Sequence, residues 1–212
     1  MATSNISTQA PHPSPPLARL LESTESASWL DRPATVVRAL VRPVADGPAG
    51  GVLRGEFLGH PLHPALVAVP IGAWSSAAVF DLVFRKPDAA RRLLGIGLVA
   101  VPPTAFTGWA DWSRGTTVQR RVGLIHALTN AAGIALSAAS FRRRRCAPES
   151  SASAVALSLA GLGLIGVGGV LGGHLAYALG MGVSPRAHTH DTDATGPAYD
   201  PVLAEPVTPA DR

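Results

Sequence analysis

Charge is what this sequence has little of. Asp, Glu, Lys and Arg make up 15% of its 212 residues, where a soluble domain normally carries about a quarter. Lysine is almost missing, Lys86 being the single one in a basic complement that is otherwise arginine. Cysteine occurs once, as Cys146. That excludes a disulfide within the chain, c-type haem attachment and a cysteine-ligated iron–sulfur cluster. Aromatic residues amount to 5%, and no basic stretch is interleaved with them in the way a nucleic-acid face requires. The net charge of +4 is therefore no sign of a nucleic-acid partner. What the chain has instead is apolar: 47% hydrophobic residues and a mean hydropathy of +0.24. The few charges stand at the ends of the apolar runs, as in a protein that contacts the lipid bilayer.

The N-terminal residues 1–16 are rich in Pro, Ser and Thr and are expected to be disordered. They lack the basic start and apolar core of a signal peptide. From Leu17 to Val44 apolar residues recur at helical spacing: Leu17, Leu20 and Leu21, then Val36, Val37, Leu40, Val41 and Val44. This pattern, broken by Pro33, predicts two short amphipathic helices on the membrane surface or on the bundle, within a segment 17–56 that ends in a glycine-rich joint.

The domain 57–180 reads as all-α, an integral-membrane four-helix up-down bundle. The first span, about 64–84, opens at GHPLHP, with His63 at the N-cap and Pro64 in the first turn, where its missing N–H needs no partner. The second, about 93–110, holds Pro102 and Pro103, which predict a kink. It ends in TGWADW, whose Trp109 and Trp112 suit the interfacial aromatic belt. The third, about 122–141, carries no charge. The fourth, about 154–179, is crowded with glycine, including the overlapping pairs Gly168/Gly172 and Gly169/Gly173. Such spacing lets a neighbouring backbone approach, and the stripe Gly123, Ala127, Ala131 and Ala135 on the third span offers a match. Residues 181–212 are expected to be a flexible tail, and its HTHDTD (His188 and His190) is read as solvated.

Arg85, Lys86, Arg91, Arg92 and Arg142 to Arg145 fall in two loops on one side of the bundle. Arg54, Arg114, Arg120, Arg121 and Arg186 lie on the other. Eight against five places the first set in the cytoplasm and both termini outside.

An up-down bundle brings the start of span one, the end of span two, the start of span three and the end of span four to one side. Those places hold His60 and His63, Asp111, His126, and His174. Polar groups in hydrocarbon are costly, so they default to functional residues. His126 shares a face with Asn130, Gly133 and Ser137. Asp81 stands at the opposite end of span one, on the stripe of His63, Val67, Pro70 and Trp74.

The motifs GHPLHPALVAVPIG, TGWADW, RVGLIHALTN and GGHLAYALGMGV resemble a bacterial integral-membrane family, the domain of unknown function DUF2231, over roughly Leu53 to Val183. The resemblance implies membrane redox chemistry, because a similar module is often fused ahead of a Rieske iron–sulfur domain. This chain has no C-x-H and C-x-x-H pair after Val183, so the membrane module alone is expected. The family brings no assigned activity, and His60, His63, Asp111, His126 and His174 match as motif positions only.

Three functions suit these residues. The first is b-type haem held by His126 and His174, whose depths match, with Arg120 or Arg121 at its propionates and electrons passing to or from quinone or an iron–sulfur protein. The second is a metal or proton site, with His60, His63 and Asp111 as a mixed set for a divalent metal such as Zn or Cu. The third is a non-catalytic membrane anchor or assembly subunit.

Overall fold

The computed structural model describes residues 15–146 and 151–182. The expected disorder of the N-terminus lies outside the described residues except at Pro15 and Pro16, and so does the tail from 183 onward, with His188 and His190. Among the described residues there are seven α-helices and no strand. Helices α1 (Pro16–Glu25), α2 (Asp31–Ala45) and the single turn α3 (Gly50–Leu53) precede four long ones. These are α4 (His63–Leu82), α5 (Pro87–Ser113), α6 (Thr117–Cys146) and α7 (Ala152–Gly173), the last continued to Ala178 by a wider turn. All four are long and apolar enough to cross a membrane.

The N-terminal pair is as the periodicity predicts, but the break is not at Pro33. It falls between Glu25 and Asp31, and Pro33 sits in the first turn of α2, where its missing N–H costs nothing. Helix α5 continues through Pro102 and Pro103. His63 is the first residue of α4 rather than its cap, which is Leu62. The long helices exceed the apolar windows because arginines at their ends still have helical backbone: Arg91 and Arg92 lie inside α5, and Arg120, Arg121 and Arg142 to Arg145 inside α6.

Two antiparallel hairpins, α4 with α5 and α6 with α7, are packed closely within themselves and meet along a seam. In the first, Trp74 lies across Gly97 and donates its indole N–H to the Leu94 carbonyl at 3.2 Å. A methyl group at 97 would sit 2.2 Å from the Trp74 Nε1 atom, so only glycine fits. Trp74, Ala77, Leu94 and Ile165 form a core that spans the seam. In the second hairpin the close approach is Gly133 against Gly161, with Gly168 against Asn130. The face of α6 that meets α7 is thus His126, Asn130, Gly133 and Ser137. The expected stripe of Gly123, Ala127, Ala131 and Ala135 is not the contact: Gly123 packs on Trp112, and Ala131 and Ala135 are exposed.

At the end where α4 and α6 begin, α1 and α2 fold back over the bundle. Arg121 clamps the Asp31 carboxylate with two bonds of 2.6 and 2.7 Å and donates a third to the Glu25 carbonyl. Arg38 of α2 reaches the Ser113 carbonyl. Leu30 and Ala34 are buried with Trp112 and Leu124. Trp112 is therefore a core residue rather than part of an interfacial belt, its N–H bonded to the Arg120 carbonyl. At the far end, a buried ion pair between Asp81 and Arg144 ties α4 to α6.

Candidate functional site

His60, His63, Asp111, His126 and His174 share the histidine-bearing end, but only His63 and His126 are brought together among the described residues. His63 opens α4 and turns its ring towards α5, where Nδ1 lies 2.9 Å from the Thr104 carbonyl. A carbonyl only accepts, so the proton is on Nδ1 and the Nε2 lone pair is left free. Gly108, one turn further along α5, makes the room: a Cβ there would come within 2.8 Å of the imidazole.

His126 repeats the arrangement in the other hairpin. Its Nδ1 donates to the Gly168 carbonyl of α7 at 2.8 Å, and Gly172 lies against the ring, where a Cβ would stand 3.0 Å from Cε1. Asn130 donates to the His126 carbonyl at 2.8 Å, and the same amide nitrogen stands 3.3 Å from both ring nitrogens. The longer contacts are at the limit of a hydrogen bond, so Asn130 covers the ring without claiming Nε2.

The two imidazoles meet across the seam. Their ring centres are 6.4 Å apart and their planes are crossed at 81°. Each is half-buried, and each is oriented by a backbone carbonyl of the helix it is paired with in its own hairpin.

His174 belongs elsewhere. It lies about 200° round the helix from Gly172, and its Nε2 meets the Glu25 carboxylate of α1 at 2.8 Å. The imidazole that faces His126 is that of His63, so matching depth was a poor guide and helix face the better one. Arg121 is engaged with Asp31 and Glu25, and Arg120 bonds the Gly115 carbonyl at 2.5 Å and Thr117 at 3.3 Å. Both arginines serve the N-terminal segment and the adjoining turn.

His60 is exposed, and Asp111 is half-buried on α5. Among the described residues no three His, Cys, Asp or Glu side chains stand where one metal ion could bind them all, so His60, His63 and Asp111 are not assembled into a ligand set. The physical reason is direction: the His63 ring is turned along α5 towards Thr104, while His60 lies outside the helix.

One cluster has no counterpart in the sequence reading. Arg144 forms two bonds with Asp81 at 2.8 and 2.7 Å and also reaches Ser140 and Ser158. The signal was present: Arg144 is eighteen residues after His126, five full turns, on the face of Asn130, Gly133, Ser137 and Ser140.

The model of a family described as predicted membrane protein, DUF2231, matches residues 59–185. No curated protein matches the chain, and no solved structure does.

Proposed function

This chain belongs to the DUF2231 family of predicted membrane proteins, and we propose that it serves there as an electron-transfer module whose His63 and His126 hold the iron of a b-type haem. The observation that carries the reading is the spacing of the pair. His63 and His126 would hold the iron between them, and bonds of about 2 Å from each imidazole would suit the observed ring-centre separation of 6.4 Å. The Nδ1–H bonds to Thr104 and Gly168 support it too. A metal-bound histidine characteristically donates its other ring N–H to a carbonyl or carboxylate, which fixes the ring and raises its basicity.

The number of ligands favours a macrocycle over a bare ion. Zinc or copper in a protein site takes three or four side chains, whereas among the described residues two imidazoles converge here. A haem brings four nitrogens of its own and asks the protein for two. When bound, it supplies a one-electron carrier. The chain's own residues do the rest: Thr104 and Gly168 aim the rings, Gly108 and Gly172 make space for them, and Asn130 shields one face of His126. We place this module in the bacterial inner membrane with both termini outside, and its partners among quinones and iron–sulfur proteins, the membrane's ordinary one-electron carriers.

The test is a reduced-minus-oxidised visible spectrum of detergent-purified protein from haem-supplemented cells, with His63→Ala, His126→Ala and His174→Ala alongside. A b-type signal lost in the first two variants and kept in the third is the expected result. A flat spectrum from folded wild-type protein, or a signal lost with His174 but not with His63, overturns it.

A further inference from the structure

Asp111 takes no part in the site as described, yet it is placed to act on it. On α5, Thr104 orients His63, Gly108 carries its ring, and Asp111 follows three residues later, about 4.5 Å along the axis and on the same face. It is half-buried. Among the described residues it has neither a hydrogen bond nor an ion pair, and neither of its oxygens is sealed from solvent. A carboxyl kept without a partner beside a membrane interior is expensive, whereas Glu56, Asp46 and Asp31 are each paired. Glu56 is shared by Arg54 and Arg114, Asp46 is held by Arg42, and Asp31 by Arg121.

The charged and titratable groups around Asp111 are few. Arg54, which follows α3, is the cation that acts on it, but that guanidinium is already bonded to the Ala45 carbonyl and to Glu56. Arg38 of α2 is tied to the Ser113 carbonyl, Arg114 on its own helix reaches Glu56, and Arg120 of α6 is tied to the Gly115 carbonyl. From the start of α4 come His60, exposed, and His63, whose Nδ1 is committed to Thr104. Asp111 is thus the acid with a free valence between the aqueous face and the paired imidazoles.

We propose that Asp111 exchanges protons between that aqueous face and the paired-imidazole site, taking up one proton for each electron the site accepts; the coupling rests on the electron-transfer reading above. Were a haem held by His63 and His126, an electron reaching it from a one-electron donor would add one negative charge in a low dielectric. The Asp111 carboxylate binds one aqueous proton, forming an O–H bond on a carboxyl oxygen, and the net charge of the region is unchanged. When the electron leaves for an acceptor, that O–H bond breaks and the proton returns to the same face. Added negative charge favours the protonated carboxyl, so reduction becomes less favourable as pH rises.

Two measurements test this. The first is an electrode titration of the visible spectrum over a range of pH for wild type, Asp111→Asn and Asp111→Glu. In wild type and the Glu variant, the equilibrium constant for reduction should fall about tenfold per pH unit where one proton accompanies one electron. In Asp111→Asn it should not change with pH. Equal pH dependence in wild type and Asp111→Asn overturns the proposal. The second is an infrared pH titration of the purified protein with no haem added, reading the carboxylic-acid C=O absorption. A titrating band that Asp111→Asn removes supports proton exchange at Asp111, and its absence from wild type overturns it. A missing visible spectrum speaks only against the haem, and the infrared result then decides for Asp111.

Discussion

The Arg144 guanidinium and the Asp81 carboxylate form a two-pronged pair, at 2.8 and 2.7 Å, with side-chain exposures of 3% and 1%. It lies at the end of the bundle opposite the histidines and joins the two hairpins there. Removing one member leaves the other as an uncompensated buried charge, which typically costs about 3–5 kcal/mol. Arg144→Met and Asp81→Asn should each lower the thermal midpoint in detergent by several degrees. The double variant Asp81→Leu/Arg144→Met should recover much of the loss, and a double variant no more stable than the singles would contradict this account.

Gly97 predicts a steric effect in the middle of the first hairpin. Gly97→Ala drives a methyl group into the Trp74 indole, and overpacking of this kind costs about 1–3 kcal/mol. Trp74→Ala, which removes the ring that a Cβ at 97 would meet, should make the alanine at 97 nearly harmless. Thermal unfolding of the two single variants and the double completes the comparison.

Acid should loosen the N-terminal segment. The hydrogen bond and charge of Arg121 hold the Asp31 carboxyl below its usual 3.8. A carboxyl depressed in the folded state stabilises at pH above its unfolded value and loses that stabilisation as pH falls through the folded one. Amide protection factors in α2, corrected for the intrinsic exchange rate at each pH, should therefore fall below about pH 4, and Asp31→Asn should show low protection at neutral pH with no further loss on acidification.

The pairing of His174 with Glu25 predicts a separation of roles. Glu25→Gln and His174→Gln should make the 26–30 turn more susceptible to protease while leaving any visible signal from His63 and His126 in place. Loss of that signal in either variant would mean that α1 is needed to hold the site together.

The four spans were legible because apolar runs of membrane length declare themselves, and charge deficit pointed the same way. Their ends were not, since the backbone stays helical under Arg91, Arg121 and Arg144 once those side chains find partners or solvent. That the histidines gather at one end followed from helix direction alone. Which of them face one another did not, because that depends on angle round the helix as well as depth. His174 has the right depth for His126 and the wrong side of α7. Asp81 and Arg144 are 63 residues apart, and a buried partner at that distance leaves no local trace beyond the polar stripe that runs down α6 to Arg144.

Each imidazole is aimed by a carbonyl from its own hairpin: Thr104 of α5 for His63 of α4, and Gly168 of α7 for His126 of α6. The two halves therefore enter the bilayer with their rings already set, and nothing about either ring waits for the other half. What biogenesis must add is the lateral docking of two finished pieces. In a fold divided this way, the docking of the two halves is what creates a binding site for anything shared by the two rings.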